Sequence, residues 1–395
     1  MNVKKTLLSF YTFFVIFILI FTVAYAEKPE LKKIEKVEIE TKNKILEEQL
    51  KKSKADTLNE KLPDEVSQDL KSAGVSRVDW RELIHISPKR VFLKILSMIK
   101  KISPRPFKCM FYVLSVIFIC ALMDTLKTPL KKSDFTSTLS VVSSLCISVT
   151  TILPLLSFIE KTTKIIGASS IFMLSYVPIL AAIMLSSGQA VTAGSYQLLM
   201  LSASEVIAQV SSNLLIPMTS SFLAISFVSA ISNRINISGV CYFFYRVIKW
   251  TLSLSMTTFV GLLTLQSLVG VSADNIGSKA AKFMISSFVP VVGGALSDAF
   301  STVQSSIKLL KSSVGAFGII AVEFIFLPVI LEALLWLVII YFCSAISSIF
   351  SLKKVSELLN NSARVVSMVL SIIICCLILL TVSSVIVLTI TNNTS

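Results

Sequence analysis

The sequence contains a single histidine, His85, and its seven cysteines all lie in or at the edge of apolar runs. One histidine and cysteines that lie in apolar membrane runs cannot build a zinc site, a haem site or histidine-dependent triad chemistry. Neither a phosphate-binding loop nor a dinucleotide-binding fingerprint occurs. We therefore expect a protein that is not an enzyme, with no catalytic residue, no metal site and no cofactor.

Aromatic residues are absent from residues 27–76, and cysteine is absent from residues 27–108. The second absence excludes a disulfide framework for this segment. Lys and Glu dominate the first stretch, and its thin apolar stripe (Leu31, Ile34, Ile45, Leu50) cannot bury a core alone. The segment is either a helical arm that depends on a partner or a solvated spacer.

Hydrophobic residues make up 54% of the 395 residues, and the mean hydropathy is +0.81. This excess lies in long runs, which is typical of a polytopic membrane protein. The formal net charge of +14 could indicate a nucleic-acid partner. The basic residues are instead concentrated in residues 27–108 and between apolar runs, so we expect a lipid membrane as the partner and no nucleic acid.

Residues 1–26 have the features of a secretory signal peptide. Lys4 and Lys5 precede an apolar core over residues 7–24, and Ala24-Tyr25-Ala26 offers a cleavage site. An uncleaved anchor helix is the alternative. Both interpretations place the segment after residue 26 outside the cytoplasm.

Residues 27–108 end in a basic amphipathic helix, "SPKRVFLKILSMIKKISPRPFK", over residues 87–108. Apolar residues alternate with lysines at helical spacing, which is typical of a helix on a membrane surface. Pro104 and Pro106 are expected to end it. Its positive charge outside the cytoplasm conflicts with the positive-inside rule, unless the signal sequence orients the first span.

The rest of the chain predicts an all-α bundle of about seven or eight transmembrane helices. The first two cover residues 109–160. The runs 196–231 and 314–348 exceed one ordinary span, so each is a tight hairpin or one long kinked helix. Basic groups near Lys131, Arg246 and Lys353 can all be cytoplasmic, which leaves the carboxyl terminus outside.

An internal repeat is predicted between residues 165–270 and 279–392. "FMLSYVPILAA" from Phe172 resembles "FMISSFVPVVGG" from Phe283. Pro217 lies 39 residues beyond Pro178, and Pro328 lies 38 residues beyond Pro290. "FVSAIS" and "FCSAIS" follow in the same order. Such repeats build many transporters, with the working site at the repeat interface. Charges before the two closing spans have the same sign and favour a parallel arrangement.

Broken or re-entrant helices are predicted around Pro178 and around Pro290 with Gly293 and Gly294. Proline removes a backbone donor and paired glycines permit a turn or close helix approach. Irregular backbone at membrane depth survives only against protein or a water-filled cavity. An interfacial amphipathic helix is the alternative for residues 281–300.

Glu205, Gln209 and Asn213 fall on one helical face inside an apolar run. A charge at the bilayer centre costs ~2.5–3.5 kcal/mol on insertion scales. We expect this face to point into the bundle or a wet cavity. It is either a polar path or a set of interhelical hydrogen bonds.

Glu323 and Glu332 are also carboxylates inside an apolar run. Because they are nine residues apart, they would lie on opposite faces of a straight helix. These residues, with the proline and glycine positions above, are the candidate pore or polar path. Asp298, Lys308 and Lys311 are expected to form a loop network.

The segment "KFMISSFVPVVGGALSDA", Lys282 to Ala299, followed by "LLKSSVG", resembles the stage III sporulation protein AE family. The resemblance covers about residues 110–395, and residues 27–108 match only in character. It implies a mother-cell membrane protein around the engulfed forespore. It further implies a channel-like complex with other proteins of the same operon and a forespore-membrane partner. No site residues are carried over, because the family has no catalytic motif.

Two functions remain open at this point. The preferred one is the permease-like part of a sporulation transport complex that supports late forespore development. The alternative is a membrane scaffold that assembles partner subunits and transports nothing. Neutralising Glu205 is expected to separate them, since only a transporter should fail while still assembling.

Overall fold

The computed structural model describes residues 55–75, 87–125, 133–231, 238–288 and 293–390, together with Ser53, Val78, Glu82 and Leu83. Within these ranges the chain is helical, and no strand occurs. The all-α prediction is confirmed for this part of the chain. A 3₁₀ helix covers Ala55–Lys61, and a π-helical turn covers Ser211–Leu215. The α-helices are α1 (Asp64–Ala73), α2 (Pro88–Ile102), α3 (Pro104–Thr125), α4 (Ser133–Ser186), α5 (Ala190–Val210), α6 (Ile216–Ile231), α7 (Ser238–Phe288), α8 (Gly293–Ile349) and α9 (Lys353–Ile390).

The amphipathic segment forms helix α2, which ends at Ile102, as the prolines predict. Pro104 opens the next helix, where its missing N–H costs nothing because the first helical N–H groups have no intrahelical acceptor. Lys94 of α2 forms an ion pair with Asp69 of α1 at 2.7 Å. Phe92, Leu93 and Leu96 remain exposed, so this side of α2 is not packed against the described part of the chain.

Six stretches of helix among the described residues are long and apolar enough to cross a membrane. The predicted runs 139–159 and 165–187 are joined in the single helix α4. The intervening residues 160–164 contain no Gly or Pro, and Glu160 precedes Lys164 at the helix-stabilising spacing. Helix α4 has 54 residues, about 80 Å at ~1.5 Å per residue, against a hydrocarbon core of ~30 Å. The number of crossings therefore stays a prediction.

The long helices pack against one another, and α4 runs antiparallel to α8. Helix α8 packs most extensively against α9, and α4, α5 and α7 also contact these two helices or each other. Contacts between α4 and α8 fix their direction. Lys161 meets Glu332, while Tyr176, further along α4, meets Gly315, earlier in α8. The core lies between these helices and contains Trp336, Phe172, Phe222 and Phe317.

The prolines affect the helices differently from the prediction. Helix α4 continues through Pro178, so the expected break there is wrong. A single proline removes one N–H donor, and the packing of neighbouring residues such as Val177 and Ala181 in the core keeps the helix in place. Helix α8 continues through Pro328 as one long helix. In the run 196–231 the π turn Ser211–Leu215 directly precedes Pro217, which cannot donate to the carbonyl of Asn213. The runs 196–231 and 314–348 are therefore long helical stretches and not hairpins.

Several predictions lie outside the described residues. They include the signal peptide at residues 1–26 and most of the segment 27–54. Helix α7 reaches Phe288 and α8 begins at Gly293, so Pro290 lies outside the described ranges. The re-entrant or interfacial character of residues 281–300 and the internal repeat both stay predictions.

Candidate functional site

Lys311 is fully buried within α8, inside a stretch apolar enough to span a membrane. Its ammonium donates a hydrogen bond of 2.8 Å to the side-chain oxygen of Gln189. Gln189 lies in the turn between α4 and α5, which Gly188 makes possible by adopting a left-handed φ of 82°. The amide groups of Gly188 and Gln189 donate to Leu185 and Met184, which closes α4. This turn thus places the side-chain oxygen of Gln189 beside the buried ammonium group of Lys311.

Asp274 of α7 reaches the same turn from another helix. Its two carboxylate oxygens accept hydrogen bonds from the backbone amides of Val191 and Thr192 at 3.0 and 2.9 Å. These are the amides that a residue at the cap position would normally satisfy, yet Gln189 makes no such side-chain bond. Asp274 also interacts electrostatically with Lys311. A carboxylate, an amide and an ammonium from three elements therefore meet at the start of α5.

One turn further along α8, the interior stays polar. The hydroxyl of Tyr176 donates to the carbonyl of Gly315 at 3.5 Å and also interacts with Ser384 of α9. Gly318 allows this approach, because a Cβ at that position would collide with the Tyr176 ring. The hydroxyls of Thr192 and Tyr196 are buried and have no hydrogen-bond partner among the described residues. Buried hydroxyls are normally paired with protein or water, so these two mark an unusual interior.

Glu323, predicted from the sequence, lies half-buried in α8 beside Thr381 of α9. On a helix, twelve residues separate it from Lys311, about 18 Å at ~1.5 Å per residue. We call the polar groups between these two residues the interior path. Its members come from α4, α5, α8, α9 and the turn between α4 and α5: Gln189, Lys311, Thr192, Tyr196, Tyr176, Ser384, Thr381 and Glu323.

Glu332 does not join Glu323. Its carboxylate forms an ion pair of 2.6 Å with Lys161 of α4, and the Glu332 side chain is 10% exposed. Glu323 interacts with α9 instead. The two carboxylates thus contact different helices, as the nine-residue spacing on an unbroken helix predicts.

Glu205, Gln209 and Asn213 are joined as predicted on one face, but this face points outward. The Gln209 amide donates to Glu205 at 2.8 Å, and the Asn213 amide donates to Gln209. All three side chains are exposed. The expectation that they point into the bundle is wrong, because the opposite face of α5 carries the residues that fill the core, including Tyr196 and Met200.

The remaining predicted positions are not brought into one site. Pro178 lies half-buried within α4. Gly293 and Gly294 are the first residues of α8, and Pro290 lies outside the described residues. Lys311, expected in a loop with Lys308, lies instead in the helix that begins at Gly293.

Sequence reasoning missed the meeting of Lys311 with Gln189 and Asp274, and the partner of Glu332. Lys311 follows two leucines inside an apolar stretch, which is a signal for a buried charge. No sequence pattern places residues 189, 274 and 311 together, because they come from a turn and two different helices that are far apart in the chain.

A second polar feature lies at the hairpin between α8 and α9. A cavity of about 400 Å³ is lined there by serine and asparagine side chains together with Lys353, Glu357 and Arg364. Ser351 in this turn adopts a left-handed φ of 60°. The cavity lies beyond Glu332 along α8 and is separate from the interior path.

A family model described as stage III sporulation protein AE matches residues 80–391. The chain belongs to this family. Among curated proteins, the stage III sporulation protein AE of Bacillus subtilis (strain 168) is 28% identical over 210 residues. That alignment covers 52% of each chain, so it spans about half the length of this relative. No solved structure matches the chain.

Membership of the stage III sporulation protein AE family covers the whole candidate site. The matched range includes every residue of the interior path, the Lys161–Glu332 pair and the Glu205 face. The resemblance of Lys282 to Ala299 is thereby confirmed at the family level. The chain is a sporulation-family membrane protein by this match and by its six apolar stretches of helix.

Proposed function

We propose that this chain is the permease-like membrane component of a channel complex that links the mother cell to the forespore. It lies in the mother-cell membrane around the forespore and supports late forespore development. Its partners are the other proteins of the complex and a protein of the forespore membrane, and its segment 27–108 is extracytoplasmic. The proposal joins family membership with one feature of the site, the buried Lys311.

The proposal rests on Lys311, because burying a cation in an apolar helix costs free energy and such residues usually have a function. Intramembrane ionisable residues usually face a cavity or a partner and mark substrate or ion routes. Lys311 has a neutral amide acceptor and a nearby carboxylate that already accepts two backbone hydrogen bonds. A purely structural ion pair would place a carboxylate directly on the ammonium, as Glu332 does for Lys161.

The hydroxyls of Thr192 and Tyr196, which have no partner in the part of the chain that the structure describes, support a hydrated interior between Lys311 and Glu323. A polar solute or water file moving along α8 would meet the hydroxyl, carbonyl and carboxylate groups of the interior path. The transported molecule is therefore small and polar.

The scaffold alternative is favoured by one observation, the outward-facing Glu205, Gln209 and Asn213. Because these residues lie outside the bundle, neutralising Glu205 no longer separates a transporter from a scaffold. Lys311 is the better position, since it has no part in any outer surface.

The test replaces Lys311 by Met in a sporulating host that depends on this chain, with Lys308→Met as the matched control. Lys308 is three residues away and only half-buried. We expect Lys311→Met to reduce heat-resistant spores at least tenfold while the chain still inserts and co-purifies with its partners. Normal sporulation of this variant would overturn the permease role and leave the scaffold.

A second test measures the access of water to the interior path. In a chain whose own cysteines are replaced, Thr192→Cys, Thr381→Cys and Ser384→Cys should react with a membrane-impermeant maleimide. Ala321→Cys, fully buried in α8, is the control and should stay unlabelled. Equal protection of all four positions would contradict the interior path.

A further inference from the structure

The polar ladder formed by Glu205, Gln209 and Asn213 is a feature that the interior path does not use. Its members follow one another at four-residue intervals from α5 into the π turn. Side-chain hydrogen bonds connect them in series. Each amide retains hydrogen-bonding capacity, because a primary amide has two N–H donors and a carbonyl with two lone pairs.

The ladder lies on a surface that belongs to a membrane span. The stretch Ala190–Ser229 is apolar enough to cross a bilayer. Around the ladder, Leu198, Val206 and Leu214 are 73%, 60% and 47% exposed. Lipid tails can pack against the two leucines and the valine, but they offer no hydrogen bonds to the carboxylate and the two amides of the ladder. The surface is therefore suited to contact with protein.

We propose that this surface pairs with the same surface of a second copy of the chain. Two copies inserted in the same direction present α5 in parallel, so identical residues meet at identical depth. A primary amide is both donor and acceptor and can therefore bond to its own copy. Gln209 and Asn213 thus provide a self-complementary pair of rungs, and the Gln209 amide of the second copy can also donate to Glu205.

The neighbouring residues fit this arrangement. Ser202 lies exposed at the spacing that extends the ladder by one turn and is small enough for two helices to approach closely. Polar residues at such positions fix the register of paired helices. An interface built in this way is isologous, with the two-fold axis along the membrane normal. The inference concerns assembly and holds whether or not the interior path conducts a solute.

The experiment is disulfide cross-linking in native membranes. Single cysteines replace Ser202 and Val206 in a chain whose own cysteines have been removed. The controls are Leu174→Cys in α4 and Leu262→Cys in α7, which are 49% and 50% exposed. We expect a dimer of this chain from the first two positions at least fivefold above the controls. Equal cross-linking at all four positions would overturn the proposal, as would adducts only with another protein.

A second variant tests the ladder itself. Gln209→Leu with Asn213→Leu, combined with Ser202→Cys, should reduce the dimer at least threefold. Thr257→Leu with Thr264→Leu on the exposed side of α7 is the matched control and should leave the dimer unchanged. An undiminished dimer in the ladder variant would contradict a role for these amides.

Co-purification of two differently tagged wild-type copies covers the case in which the ladder variant does not fold. Recovery of one tag with the other is expected, and its absence would overturn the proposal. A loss of transport without a loss of pairing, or the reverse, would separate this inference from the proposed function.

Discussion

At the scale of single residues, Gly318 shows how a missing side chain positions a functional one. Helix α8 approaches α4 so closely here that the Tyr176 ring occupies the space of a Cβ. Tyr176 also stacks on Phe172, with ring centroids 5.6 Å apart. The Tyr176 hydroxyl can therefore reach the Gly315 carbonyl only because residue 318 is glycine.

Gly318→Ala is expected to destabilise the bundle. A methyl group forced into a well-packed interior typically costs about 1–3 kcal/mol. Gly261→Ala is the matched control, since a Cβ there meets nothing within 4 Å. Alanine has the higher helix propensity, so this control should be neutral or slightly stabilising. The thermal midpoint of the purified chain in detergent measures both. A Gly318→Ala midpoint at or above that of Gly261→Ala would contradict the close packing.

At the scale of secondary-structure elements, the start of α5 depends on a residue of α7. Gln189 holds the cap position, but the amides of Val191 and Thr192 are satisfied by Asp274. Gln266, two turns earlier in α7, donates to the Ser195 hydroxyl at 3.1 Å. Gly270 lies between them, where a Cβ would approach Thr192 Oγ1 to 2.8 Å. Helices α5 and α7 are thus joined along one polar seam.

Asp274→Ala is expected to cost about 0.5–2 kcal/mol, the range for loss of a helix cap. The effect should be local, because the lost bonds order the first turn of α5. Hydrogen exchange of the amides of residues 191 and 192 measures it, with the amides of α9 as the internal reference. Faster exchange is expected at residues 191 and 192 alone. Unchanged exchange there would rule out capping by Asp274.

At the scale of the whole molecule, the basic residues give the chain its expected orientation. The residues Arg246, Lys249, Lys353 and Arg364 lie within the first twelve residues of α7 or α9, the part of each helix that the positive-inside rule assigns to the cytoplasmic side. A single crossing by the apolar stretch Lys353–Val385 would then place the end of α9 on the opposite side.

This orientation predicts where reporters will be active. Alkaline phosphatase fused after residue 391 should be active, since it requires export, and fused after Lys353 it should be inactive. Fluorescent protein fusions at the same two positions should show the reverse pattern. Phosphatase activity at both positions would contradict the orientation.

The sequence by itself determined the class of this protein. Its long apolar runs indicated a helical membrane protein, and "KFMISSFVPVVGGALSDA" indicated the family. These features depend on residues near each other in the chain. The same holds for the spacing of Glu205, Gln209 and Asn213, which predicted their common face.

Tertiary structure alone decided what each face meets. Helical spacing places residues on one side of a helix, but it does not say whether that side faces the core or the outside. The Glu205 face therefore turned out to be exposed, while Lys311 became the buried residue. Lys311 interacts with Gln189 and Asp274, which lie 122 and 37 positions before it in sequence, and only the packing of α4, α5, α7 and α8 brings them together. Continuity of α4 through Pro178 has the same origin, because packing against neighbouring helices outweighs the loss of one hydrogen bond.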